Sequence, residues 1–330
     1  MAATHAAELA SYLAQSTDIL PHFPALQVAC TARGLTFLPV ELDQAPAVLA
    51  AATAADVVWT LTDGIAYFRG SAAPTLARLH GLNRIGADDS VFALCQDKFR
   101  SGAVLGALGQ PTPAAGLARD GAWLVPPPPA ASWFVKPNRL GAKIGIYADA
   151  HVDTLNTALD ISRRVHAAWG DDVVVQPWVP GRNIRASYLD VSGQGDPADL
   201  GVFYVDSGGD FQTMADSLAL YGQTGAAQKA AGTYVEPELQ PVPPEAAARV
   251  RAIAADLMRG LGLRDVFSMD LRLEPDGTAH LIEFEICPGL PCFDFVAYVR
   301  AHWGLSLAEA MAETARLTAR RPATGLASGR

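Results

Sequence analysis

Three carboxylates near the C-terminal end of the chain, Asp270, Glu283 and Glu285, lie in two apolar-rich runs separated by Pro275-Asp276-Gly277. That tripeptide is a turn signal, so the two runs read as a β-hairpin. Side chains two apart on a strand share a face, which sets Glu283 beside Glu285, and Asp270 joins them from the neighbouring strand. Carboxylates crowded in this way repel and raise one another's pKa unless a cation holds them. Hard oxygen donors suit Mg²⁺, which commonly bridges protein carboxylates and nucleotide phosphates. A solvated strand face with scattered acids would carry the same residues.

Positive charge is placed as selectively. Lysines are scarce, and Lys98, Lys136 and Lys143 fall in one central stretch beside Gly- or Pro-marked turns. Lys136-Pro-Asn-Arg-Leu-Gly141-Ala-Lys143-Ile-Gly145 follows an apolar strand. Backbone amides of such a loop cradle phosphates, and lysines add compact positive charge. It is not a P-loop, because the Gly-x-x-x-x-Gly-Lys-[Ser/Thr] spacing is absent. An ordinary β-turn is the competing reading. Cys287 and Cys292 flank the hairpin with no His nearby in sequence and read as small buried apolar residues.

These groups need a scaffold that brings them together. Residues 1–94 read as α/β: Leu35–Glu41 and Ala55–Leu61 are short apolar strands around an Ala-rich helix over 44–54, followed by a helix over 73–80. Strands alternating with helices favour a parallel sheet. A helix begins near Asp88-Asp89-Ser90, with acids at its positive end, and runs through Asp97-Lys98 to about Leu108, where Gly109-Gln110-Pro111 stops it. Trp133–Lys136 and Asp172–Gln176 are strands flanking a helix over 152–169. Residues 182–191 and 200–206 give further strands, and 245–262 an amphipathic helix leading into the hairpin. Residues 207–244 are polar and rich in Gly and Ala, with no sustained period, as in a functional or disordered loop.

At 330 residues the chain can bury a large core and carry two or three packed subdomains. A formal charge of −9 argues against nucleic acid as a partner, since phosphate neutralisation needs clustered Lys and Arg. No run of about 18 apolar residues exists, so no membrane span is expected. The N-terminus lacks a basic segment followed by an apolar core. Cys30, Cys95, Cys287 and Cys292 show neither metal-ligand spacing nor disulfide density, which fits a reducing cytoplasm.

The order of these features resembles the ATP-grasp superfamily, and within it the D-alanine–D-alanine ligase-like branch. The resemblance rests on Thr62-Asp63-Gly64 with Arg69-Gly70-Ser71, on Gln96-Asp97-Lys98, on Val135-Lys136-Pro137, on Gln176 to Gly181, and on Asp270 with Glu283-Phe284-Glu285 before Pro288-Gly289. It implies an ATP-grasp fold: a parallel-sheet α/β domain over 1–94 and two α+β subdomains over 95–175 and 176–319 that clamp ATP; residues 320–330 read by themselves as a disordered tail. It implies ATP with two Mg²⁺ ions (Mn²⁺ as a substitute), small amino-acid-like substrates and a homodimer. By position, Lys98 and Lys136 would hold the α- and β-phosphates. Gln176 would sit beside the adenine amino group, and Val179 would contact adenine through its backbone. Asn183 would take the ribose hydroxyls where the family often has Glu. Asp270, Glu283 and Glu285 would hold the metals, with Glu285 in place of the usual Asn. Asp63, Arg69 and Ser71 would line the substrate pocket or simply make turns, and residues 207–240 would form a lid.

The departures bear on substrate. Ser268 replaces an Arg that stabilises the oxyanion of the tetrahedral intermediate. Arg272, on the same strand face, either supplies that charge or makes a surface ion pair. Asp294 stands where the ligases use Ser to bind the second alanine's carboxylate. An Asp there would repel a carboxylate and receive an ammonium or hydroxyl group. Ala142 and Lys143 replace paired serines, Asp216-Ser217 replaces a lid Lys-Tyr pair, and Lys143 is placed on the γ-phosphate. On these departures the ATP machinery is expected to survive and D-Ala–D-Ala specificity is not. The leading reading is an ATP-dependent carboxylate–amine ligase working through an acylphosphate, with a ring-closing variant in the same class. A carboxylate kinase without amide formation competes if Arg272 points away from the site. A non-catalytic ATP-binding regulator is the third, and the retained carboxylates and lysines argue against it.

Overall fold

Val173, Val174 and Val175 are completely buried and form the middle of a five-stranded antiparallel sheet. A continuous β-branched run of this kind packs on both faces, as a central strand requires. The computed structural model describes residues 2–16, 18–62, 70–205, 209–221 and 239–321. In it the first large sheet has the order β4 (Ala122–Val125), β3 (Gly116–Arg119), β7 (Val173–Pro177), β5 (Trp133–Pro137), β6 (His151–Val152). The helix Leu155–Trp169 covers it, burying Ala158, Ile161 and Val165. Thr154 caps that helix by accepting from the Thr157 N–H, and Gly170 closes it in the left-handed conformation.

The second sheet is also antiparallel: β10 (Gln240–Pro241), β9 (Gly201–Tyr204), β8 (Arg182–Leu189), β11 (Val266–Leu273), β12 (Ala279–Glu285). Helix Pro244–Leu261 packs on it through Ala246, Val250, Ala254 and Leu257. The hairpin forms as expected, with Asp270 opposite Glu283 and Ser268 opposite Glu285. A bulge follows: Leu271 pairs with Leu281, so Ile282 is the extra residue. The other neighbour of β11 is β8, which sets Arg185 opposite Asp270 and Asn183 opposite Arg272.

The N-terminal α/β unit is sparer than expected. Its described sheet is one parallel pair, β1 (Val57–Val58) with β2 (Asn83–Arg84). No strand forms over 35–41. Pro39 brings no N–H to a ladder, and Leu38 and Val40 are exposed. The single helix expected over 88–108 is two, Asp89–Cys95 and Lys98–Ala107. Asp97 breaks it by leaving the helical conformation and accepting from the Arg100 N–H, so a helix restarts at Lys98. The stretch without a period contains the helix Met214–Tyr221; the expected lid residues 222–238 and most of the expected tail (322–330) lie outside the described residues. Among the described residues no helix is long and apolar enough to cross a membrane.

Candidate active site

A cavity of about 510 Å³ lies between the two large sheets and is lined by residues from both. Lys136, at the end of β5, is buried and points its Nζ at Glu283 Oε2, 3.5 Å away. Lys98 Nζ stands 3.8 Å from the same oxygen and donates to the Leu140 carbonyl at 2.9 Å. Asn138 ties the two lysines together: its backbone oxygen accepts from the Lys98 N–H and its side chain from the Phe99 N–H. Burial pushes the Lys136 ammonium down, and Glu283 pulls it back. Burial would raise Glu283, but Lys136 and then Lys98 outweigh it and hold the carboxyl well below the usual range.

The glycine-bearing loop after Lys136 is tightly wound. Ala142 and Lys143 both take left-handed φ angles, 51° and 65°, and Gly145 packs against Pro137. Two non-glycine residues in that region mark stored strain of a kind found at functional sites. Lys143 lines the cavity, pushed down by burial and supported by Asp270.

Arg185 is the site residue that sequence reasoning missed. Its Nη1 donates to Asp270 Oδ1 at 2.7 Å, and its Nε faces Asp294 Oδ2 at 3.4 Å. The Ser187 hydroxyl donates to the same Asp294 oxygen at 2.9 Å. Asp294 is buried, with its charge already compensated. The expected repulsion of a substrate carboxylate by Asp294 therefore loses its basis, as does its free reception of an ammonium group. Counting by two along β8 from Asn183 would have found Arg185 and Ser187 on the same face.

The other end of the cavity holds the remaining expected residues. Gln176 is buried, and its amide nitrogen donates to the Pro113 carbonyl at 3.2 Å. Arg272 is drawn to this end, away from Asp294. Its Nε donates to the Val179 carbonyl at 3.1 Å and its Nη1 to Asn183 Oδ1 at 2.9 Å and to the Asp210 carbonyl. Its guanidinium lies 4.7 Å from the Trp178 ring centroid. That corrects the placing of Arg272 at the acyl group: nearby carbonyls and an aromatic face capture it. Trp178 also stacks on His151 and meets Phe134 and Phe211 edgewise or tilted.

Three further expectations are revised or untouched. Ser268 is fully buried, does not line the cavity, and its hydroxyl has no hydrogen-bond partner among the described residues. Ser71 starts the helix Ala72–Leu79 and does not line the cavity, whereas Thr62 does. Asp63 and Arg69 lie outside the described residues. Cys287 and Cys292 are half-buried and line the cavity wall, with Cys287 also packed against the hydrophobic core as expected.

The carboxylates fit a hard dication by chemistry and by register, although each side chain addresses a different partner: Glu283 the lysines, Asp270 Arg185, and Glu285 the Cys287 N–H. Among the described residues no three of them converge as a ready-made donor set. Carboxylates sharing a low-dielectric face turn to the nearest cations on the protein.

Residues 131–314, more than half the chain, match the family model of the D-Ala–D-Ala ligase C-terminus. The chain belongs to the D-alanine–D-alanine ligase family of ATP-grasp proteins. A putative D-alanine–D-lactate ligase of Streptomyces coelicolor is 27% identical over 250 residues, 74% of this chain and 67% of that protein. Across the curated ligases it matches, the chain spans about half to two thirds of their length. The D-alanine–D-alanine ligase of Bacillus anthracis, solved in complex with ATP, superposes with a TM-score of 0.61 at 15% identity, over 87% of this chain and 85% of that one. The VanG D-Ala:D-Ser ligase of Enterococcus faecalis gives 0.53 at 18%, over 80% and 73%. At such identities these two support the fold.

Proposed function

We propose that this ligase-family member joins a small carboxylic acid to an amine in an ATP-dependent reaction, through an acylphosphate. The observation that carries this is the convergence of Lys98 and Lys136, from two separate segments, on Glu283, which stands in register with Asp270. Residues 1–94, 95–175 and 176–319 are the three units in this reading, with the nucleotide between the last two.

Phosphoryl transfer asks little covalent chemistry of a protein and much positioning and charge. The substrate carboxylate oxygen forms a bond to the γ-phosphorus as the bond to the β,γ-bridging oxygen breaks, and ADP leaves with that electron pair. Lys98 and Lys136 neutralise the charge that moves onto the departing phosphates. Asp270, Glu283 and Glu285 would hold Mg²⁺, which when bound lowers the repulsion between phosphates and carboxylates. Gln176, Val179 and Asn183 line the base-and-ribose end, where Arg272 orders the linker. An amine then displaces phosphate from the acyl carbon, forming the amide.

With Arg272 turned away, a carboxylate kinase would be the natural second reading if no other cation faced the acyl end. Arg185 faces it. The relatives named above join D-alanine to D-alanine, D-lactate or D-serine, so D-alanine is the first donor to try. Phosphate release should be measured with ATP, Mg²⁺ and D-alanine, alone and with pools of amino acids, amines and dipeptides, and products weighed. Release accompanied by an amide product, with D-alanine itself or an added amine as acceptor and a mass equal to the sum less water, is expected. Phosphate release without any amide product, from D-alanine alone or with any added amine, sinks the ligase reading.

A further inference from the structure

We propose that Arg185 is the catalytic cation that binds the reacting acyl oxygen, and that Asp294 and Ser187 are the positioning residues that aim it; the proposal rests on the ligase reading above. Arg185 projects from β8 into the cavity directly across from Asp270. Its described contacts use Nε and Nη1 only, and Nη2 has no protein partner among the described residues. A guanidinium carries five N–H donors, and one left partly unmatched at a cavity wall seeks an anion.

Its place in the row of charges says which anion. Lys98, Lys136 and Glu283 mark one side of Asp270, where phosphates would lie. Arg185 and Asp294 mark the other, toward Pro288-Gly289. Lys143 lies close enough to both Asp270 and Arg185 to feel their charges. The group next in line beyond a transferred phosphoryl is the acid that receives it. A cation drawing on Asp270 would loosen the hold of Asp270 on Nη1, while Asp294 keeps the guanidinium plane fixed through Nε.

The step served is amine attack. The nitrogen lone pair forms the C–N bond, and the C=O π electrons move onto the acyl oxygen, where Arg185 donates to the resulting oxyanion. The oxyanion collapses, the C–O bond to phosphate breaks with its electrons going to phosphate, and the amine's surplus proton leaves with it. No co-reactant beyond ATP and the amine is needed. Ser268 cannot serve, being buried outside the cavity, and Arg272 is held at the opposite end.

The test compares Arg185→Met, Arg185→Lys, Asp294→Ala and Ser187→Ala with the parent, measuring Mg²⁺–ADP binding by calorimetry and kcat and KM for product formation with D-alanine as donor and the best acceptor found. For Arg185→Met, kcat should fall by roughly 100-fold or more while ADP affinity stays within about threefold. Methylguanidinium added to the solution should restore part of it. Arg185→Lys keeps a cation beside Asp294 and guards against misfolding of the methionine variant; it should still lose at least about tenfold in kcat, because an ammonium lacks the planar fork. Asp294→Ala and Ser187→Ala should lower kcat by about three- to thirtyfold with KM for ATP unmoved, and Asp294→Glu should recover part of the loss. A folded, ADP-binding Arg185 variant with kcat within threefold of the parent overturns the proposal and leaves the ligase reading intact. A parent protein that binds no Mg²⁺–ADP instead overturns the reading on which it rests.

Discussion

Lys136 Nζ and Glu283 Oε2 stand 3.5 Å apart across the cleft between the two large sheets. Lys136 is almost wholly buried, and Glu283 is its main counter-charge. Changing Glu283 to Gln leaves that ammonium beside Lys98, another cation, with Asp270 as a weaker counter-charge. The expected loss is about 3 kcal/mol in urea unfolding, the usual scale for breaking one side of a buried pair. ATP turnover should fall by roughly 100-fold or more as the phosphate-facing charge is lost. Unchanged unfolding and unchanged phosphate release together would remove this cleft from consideration as the nucleotide site.

Arg272 gives a kinetic prediction of opposite sign to an oxyanion role. Its bonds tie it to Val179, Asn183 and Trp178, at the end of the cavity proposed for the nucleotide. Arg272→Met should raise the KM for ATP by about tenfold and leave kcat within about threefold, the pattern of lost uniform binding. A fall in kcat with KM unmoved would restore Arg272 to the acyl group and contradict its placement.

The Tyr147 hydroxyl donates to Glu8 at 2.7 Å, and burial followed by that bond pushes its pKa up to about 12 from 10.0. A folded-state pKa above the unfolded one means stability is whole below the unfolded value and is lost as pH rises toward the folded one. The parent should therefore lose stability between about pH 10 and 12, beyond what Tyr147→Phe loses in the same window. Near neutral pH the Phe variant should be weaker by about 1 kcal/mol, leaving Glu8 without its donor. Urea midpoints across that pH range decide it; parallel curves for the two proteins would count against the bond.

The glycine-bearing loop allows paired substitutions of opposite sign. A Cβ on Gly145 would stand 2.7 Å from Pro137 Cγ at a φ of +76°, so Gly145→Ala should cost about 2 kcal/mol. Ala142 sits at a φ of 51°, and Ala142→Gly should relieve about 1 kcal/mol in the folded state. If calorimetric melting moves the same way in both, the loop is not wound as described.

The carboxylate hairpin, the valine-rich central strand and the placing of Lys136 before a Gly-marked loop were legible because each depends on local pattern: alternation, a β-branched run, a strand followed by a Gly-marked turn. The break at Asp97 was not, since the same acid reads as a helical surface residue until its side chain is seen to cap Arg100. Leu35–Glu41 looked like a strand by apolar content, and Pro39 decided otherwise. Arg185 was hidden for a different reason. Alternation along β8 puts it on the face of Asn183, but its partner Asp270 comes from the pairing of β8 with β11, two segments distant in sequence. Arg272 and Asp294 were mis-aimed on similar grounds, because their partners Val179 and Arg185 come from elsewhere in the chain.

The helix Ala2–Ser16 borders the cavity through Leu9 and Tyr12, and its polar ties to the rest include Glu8 to Tyr147 and Ser11 to Ser217. One more bond, from the Met214 N–H to the Ile146 carbonyl, joins the helix Met214–Tyr221 to the loop beneath. Each contributes on the order of 1 kcal/mol. The cavity wall on this side is therefore made of helices rather than of either large sheet, so substitutions along Ala2–Ser16 bear on what the cavity admits without touching the strands that carry Lys136, Arg185 and Asp270.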